Sequence, residues 1–94
     1  MFDIKMTPDK VILLSGRFDS LQTEKAKEIF GSVRETVTVD FTQLDYISSA
    51  GLSVLLATQK RLRNNGQQLK LTGMNQHIRE IFNYAGFDMI FEIN

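Results

Sequence analysis

The 94-residue chain contains no cysteine, one proline and one histidine. The lack of cysteine excludes disulfides, thiolate catalysis and cysteine-ligated metal sites, and it fits a cytoplasmic protein. Charge of one sign is missing as well, because eleven basic and eleven acidic side chains cancel. Nucleic-acid binders carry a basic stripe and membrane-surface proteins a polybasic patch. Neither is present, so no nucleic-acid partner is expected. No apolar run approaches the roughly 20 residues of a membrane-spanning helix, so no membrane insertion is expected either. Met1-Phe2-Asp3-Ile4-Lys5 does not read as a signal peptide. The chain shows no repeat, low-complexity segment or linker, and its length suits one small domain over residues 1–94.

Catalytic patterns are equally scarce. The only histidine, His77, falls near the start of an expected helix and reads as an exposed first-turn residue. Ser48-Ser49-Ala50-Gly51 lacks the glycine two places before the serine that a nucleophile elbow needs. No His, Cys or carboxylate ligands cluster at metal spacing, so no metal site is expected. Ser15-Gly16-Arg17 has a single glycine, and no phosphate-binding glycine loop occurs elsewhere. These absences point away from an enzyme, with no catalytic residues and no cofactor.

What is present is a regular alternation of strand and helix patterns. Phe2, Ile4 and Met6 alternate with Asp3 and Lys5, as in a half-buried strand. Thr7-Pro8-Asp9-Lys10 reads as a turn, and Val11–Gly16 as an apolar strand covered on both faces. Asp19 and Ser20 are good N-cap residues for a helix running to about Ser32. That helix would bury Leu21, Ala26, Ile29, Phe30 and Val33. Thr36–Thr42 alternates with Val37, Val39 and Phe41 on one side. A second helix starts near Ala50, with Leu52, Leu55, Leu56, Gln59 and Leu62 as its stripe and Asn64-Asn65-Gly66 as its stop. Lys60, Arg61 and Arg63 suit the negative end of that helix dipole. Leu69 and Leu71 mark another strand. Asn75 caps a third helix that buries Ile78, Ile81, Phe82 and Ala85 and ends at Gly86, and Phe87–Asn94 supplies an edge strand. The order β-β-α-β-α-β-α-β predicts an α/β fold, a mixed sheet packed against helices with parallel pairs joined by right-handed crossovers.

The segment Tyr46–Leu56, YISSAGLSVLL, places two hydroxyls where a helix begins. One serine there is an ordinary cap. A second lies at the positive end of the helix dipole, beside free backbone N–H groups, where an anion can be carried or bound. Asp19 and Ser20 follow the second strand. If that strand neighbours Thr36–Thr42, the two loops open on the same end of the sheet.

Three segments together resemble the STAS domain family, and in particular the bacterial anti-sigma factor antagonists. VILLSGRFDS (11–20) is similar to the family's strand-Gly-x-Leu/Phe-Asp segment. VTVDFTQLDYISSAGLSVLL (37–56) is similar to its signature, an Asp-containing strand, a short loop and Ser-x-Gly-Leu opening a helix. GQQLKLTGMNQHIREIFNYAGFDMIFEI (66–93) is similar to the family's last strand, helix and terminal strand. The resemblance implies a STAS-like fold and a partner-switching cycle. Such a protein binds a serine kinase of the ATPase-fold type that is itself an anti-sigma factor. It is released when that kinase phosphorylates it and restored by a cognate phosphatase. It also implies a monomer when free.

Carried onto this chain, the phosphoacceptor is Ser49, two residues before Gly51. Ser48 is the rival, since many members carry Asp at that position and Ser or Thr at Ala50. The partner surface implied is Asp19, Ser20, Ser48, Ser49, Ala50 and Gly51, with Ala50 and Gly51 small enough for close approach of a kinase. The alternative is a STAS regulatory subunit of a transport or lipid-trafficking assembly, without phosphorylation.

Overall fold

The computed structural model describes residues Met1–Asn94. Five strands, β1 (Phe2–Met6), β2 (Val11–Phe18), β3 (Val37–Ile47), β4 (Leu69–Thr72) and β5 (Glu92–Ile93), form one sheet in the order β1-β2-β3-β4-β5. β1 and β2 pair antiparallel through the turn at Thr7–Lys10, and the other three pairs are parallel. Helices α1 (Thr23–Gly31), α2 (Ser49–Arg63) and α3 (Gln76–Tyr84) carry the parallel crossovers. The strand order never reverses. Right-handed crossovers therefore put all three helices on one face of the sheet.

That one-sided cover corrects the reading of β2. Ile12, Leu14 and Phe18 are buried, whereas Val11, Leu13 and Ser15 between them are only half-buried. The strand alternates because its outer face meets no second layer. The inward residues of all strands join Ala26, Phe30, Leu55, Leu62, Ile78 and Phe82 of the helices in a single core cluster of 22 buried residues. Phe82 is its aromatic centre, edge-on to Phe41, Phe87 and Phe91 at centroid distances of 5.8–6.0 Å.

β3 runs five residues past the expected end at Thr42. Simple alternation from Phe41 would have turned Gln43 and Asp45 inward. Two irregularities intervene, one between the pairs Leu13↔Asp40 and Ser15↔Gln43, the other between Gly16↔Leu44 and Arg17↔Tyr46. Each inserts one extra β3 residue, as a β-bulge does. Leu44 and Ile47 are buried as a result, while Thr42, Gln43 and Asp45 stay exposed.

The helices follow their patterns with local corrections. Leu21 does not join the buried stripe of α1. It lies in a 3-10 turn, Ser20–Gln22, and is 86% exposed. On α2 the buried face is Gly51, Val54, Leu55, Thr58, Gln59 and Leu62. Leu52 packs at its margin and Leu56 is only half-buried. On α3, Ala85 is exposed rather than buried, since the helix ends at Tyr84. Arg61 stabilises the carboxyl end of α1 rather than of its own helix, donating to Val33 O at 2.7 Å and Phe30 O at 2.8 Å. An exposed ion pair ties α1 to β1, where the Lys25 ammonium at 3.3 Å holds the Asp3 carboxyl below its ordinary pKa.

Leu55, fully buried at 0% exposure, tests the assignment of the α2 face. Leu55→Ala is expected to destabilise the domain by about 2–5 kcal/mol, from lost transfer energy plus the residual cavity. Chemical denaturation reads this directly, and an unchanged midpoint would contradict the inward orientation of α2.

Candidate functional site

The carboxyl ends of β2 and β3 bring the two candidate loops together. Phe18 pairs with Ile47, and Ser48 N donates to Phe18 O at 2.9 Å. Asp19 and Ser20 thus stand beside Ser48 and Ser49 at one end of the sheet. Because the strand order does not reverse, this end has no crevice of the kind found at a topological switch point. It offers an outward surface.

Each loop is fixed by a side-chain cap. Asp19 has extended backbone, and its Oδ1 accepts from Leu21 N at 3.0 Å, starting the 3-10 turn that leads into α1. Ser48 is likewise extended (φ −91°, ψ 172°), and its Oγ accepts from Gly51 N at 3.3 Å. Ser48 C=O accepts the first helical bond, from Leu52 N at 2.9 Å. The two serines therefore have different positions. Ser48 is the N-cap, half-buried, with its hydroxyl engaged. Ser49 is the first residue of α2 and is exposed, and its side chain takes part in no hydrogen bond. The N–H groups of Ser49 and Ala50 have no acceptor within the chain, as at any helix start.

Gly51 is buried and turned inward. A β-carbon there would lie 2.9 Å from Ile47 Cγ1 and 3.1 Å from the Phe18 ring. Its small size seats the start of α2 on the ends of both strands, and its part in any outer surface is indirect. Ala50 is half-buried and Ser20 exposed. Two neighbours, Leu21 and Arg17, were not read from the sequence as part of this site. Leu21 contributes a large exposed apolar side chain beside this end of α2. Arg17 lies over the Tyr46 ring at 4.2 Å from its centroid, just before the two loops. Leu21 could not be found from periodicity, because the 3-10 turn shifts its phase. His77 is exposed in the first turn of α3, and its side chain has no hydrogen-bond partner. No group of acidic residues and histidine is arranged to hold a metal ion, and no helix is long and apolar enough to cross a membrane.

The family profile described as "Mlab, STAS domain" matches residues 3–92. The chain is 35% identical over 100 residues to BtrV of Bordetella bronchiseptica, named as a candidate anti-sigma factor antagonist, covering 96% of this chain and 85% of that one. It is 30% identical over 86 residues to the anti-sigma-B factor antagonist of Listeria monocytogenes, covering 87% and 75%. Among solved structures, an anti-sigma factor antagonist from Mycobacterium paratuberculosis superimposes with a TM-score of 0.82 at 18% identity, over 99% of this chain and 83% of that one. Anti-sigma factor antagonists of this family are regulatory binding proteins rather than enzymes. The chain belongs to the STAS domain family, among its bacterial anti-sigma factor antagonists.

Proposed function

We propose that this protein binds an anti-sigma factor that is also a serine kinase of the ATPase-fold type, and that phosphorylation of Ser49 releases it. The observation that carries the reading is the difference between the two serines. Ser48 uses its hydroxyl to cap α2, whereas Ser49 presents a free, exposed hydroxyl one residue further on. A kinase reaches Ser49 without disturbing the helix start. A phosphatase restores the binding form by removing the phosphate. The cycle runs in the cytoplasm, with the protein a monomer when free. Asp19, Ser20 and the exposed Leu21 supply the rest of the contact surface around Ser49, with Leu21 as its apolar anchor.

The test is incubation with the cognate kinase and ATP, followed by mass spectrometric location of the phosphate. Phosphate on Ser49 supports the reading; phosphate on Ser48 alone, or on neither serine, overturns it. A second reading rests on membership of the STAS domain family alone. In it the protein is a regulatory subunit of a transport or lipid-trafficking assembly, and neither serine is modified.

Asp19 offers an independent check. Asparagine caps as well as aspartate, so Asp19→Asn leaves the 3-10 turn and the stability nearly unchanged. If the Asp19 carboxylate touches the kinase, the variant binds several-fold more weakly at wild-type stability. Isothermal titration beside thermal melting separates the two effects, and equal affinity would confine Asp19 to capping.

A further inference from the structure

A groove of about 720 Å³ runs between α1 and α2. Phe30, Ala50, Val54 and Ala57 line its apolar part and Lys27 and Arg61 stand along it, while no acidic residue contributes to its walls. That volume lies within the range of about 300–1,000 Å³ usual for small-molecule sites. At the Gly31 end of the groove Arg61, in its wall, meets Arg34, which stands just outside it in the neighbouring depression that Lys10 and Glu35 also line. Arg61 donates to Val33 O at 2.7 Å from Nη1 and to Phe30 O at 2.8 Å from Nη2. Arg34 Nη1 donates to Gly31 O at 2.6 Å and to the same Val33 O at 3.2 Å. Two guanidinium groups thus converge on one carbonyl oxygen. Neither has a carboxylate partner, since the ion pairs of the chain are Lys10–Glu35, Lys25–Asp3 and Lys27–Glu24.

Two cations this close repel, and the partial charge of a helix carboxyl end, about half an electron charge, only partly offsets them. Both groups keep N–H donors in excess of those used, in the fork geometry that suits carboxylate and phosphate. Held in place by the carbonyls, they are organised before any anion arrives. The small side chains at Gly31, Ala50 and Ala57 keep the apolar part of the groove open.

We propose that this groove binds a single-chain anionic amphiphile. Its carboxylate or phosphate head sits on the Arg34–Arg61 pair, and its hydrocarbon chain lies over Phe30, Val54 and Ala57. The site adjoins the partner surface at Ala50 but needs no phosphate on Ser49.

Dodecanoate and dodecyl phosphate, each below its critical micelle concentration, are titrated into isotope-labelled full-length protein and followed by amide chemical shifts. Both are expected to give saturable shifts centred on Gly31, Ala50, Val54 and Ala57. Arg34 is exposed, so Arg34→Gln leaves the fold intact and is expected to weaken both by about tenfold, the loss of one charge-assisted contact. Ala57→Phe, at another exposed position, is expected to abolish binding by filling the groove. Dodecanol should bind both wild type and Arg34→Gln equally weakly. The proposal is overturned if dodecyltrimethylammonium binds the same amides as tightly as dodecanoate, or if no saturable shift occurs there. It also falls if a second copy of the chain occupies the groove in sedimentation experiments. The same holds if the anti-sigma kinase shifts these amides while neither amphiphile does.

Discussion

Ser49→Asp is expected to melt at or slightly above the wild-type temperature and to bind the kinase about tenfold more weakly or worse. The two halves of this result have separate causes. A negative charge at the first residue of α2 meets the positive end of the helix dipole and the unbonded N–H groups of Ser49 and Ala50. Such a placement contributes about 0.3–1 kcal/mol of stability at an exposed site. A phosphate, with a charge of about −1.5 to −2, meets the same welcome. The cost falls on the complex. There the new charge must lose its water or face partner carboxylates, and about 1.4 kcal/mol of mismatch is enough for a tenfold loss. Ser49→Ala keeps the affinity but is not released on addition of ATP. Ser48→Ala loses its cap and about 0.5–2 kcal/mol of stability, yet still accepts phosphate on Ser49. Binding titrations with and without ATP, run beside thermal melts, check all three variants. A Ser49→Asp protein that binds like wild type would refute the electrostatic account of release.

Gln59→Leu is expected to be among the most damaging conservative changes in the domain. Gln59 is 1% exposed, and both ends of its amide are used. Its Oε1 accepts from Leu69 N at 2.8 Å, and its Nε2 donates to Ile90 O at 2.9 Å. One side chain thereby joins α2 to the start of β4 and to the segment before β5. Leucine matches its size but leaves a backbone donor and a backbone acceptor without partners. Each costs about 1–3 kcal/mol when left buried and unpaired. A loss of about 2–5 kcal/mol is expected, a large share of a small domain's stability. Hydrogen exchange at the Leu69 amide should accelerate with it. A variant as stable as wild type, with Leu69 still protected, would show that the bridge is dispensable.

Much of this architecture is legible in the sequence where one physical rule acts alone. Val37, Val39 and Phe41 alternate cleanly, and all three are buried. Ser48, Asp19 and Asn75 are polar residues ahead of apolar stripes, and all three cap helical turns. The rest is hidden where two rules compete. Leu21 fits a helical stripe, but the Asp19 cap starts a 3-10 turn with a different period, and the side chain faces solvent. Gln59 falls on the buried stripe by position, yet nothing local announces that its partners lie in β4 and near β5. Arg61 looks like a cation for its own helix, and only packing reveals that it serves α1. At the candidate site, the pair of serines was visible while their division of labour was not. Cap geometry, and not composition, distinguishes the hydroxyl that is engaged from the one that is free.

The bulges of β3 also have a consequence for height. From Val11 to Phe18, β2 takes seven steps, while the matching span of β3, Thr38 to Ile47, takes nine. Two residues thus contribute nothing to the length of the strand. At about 3.3 Å per residue, an unbroken β3 would overshoot its neighbour by about 7 Å. Ser49 would then stand on a pedestal above Asp19 and Leu21. As built, the strands finish flush at Phe18 and Ile47, and the loops that carry Asp19 and Ser49 leave the sheet side by side.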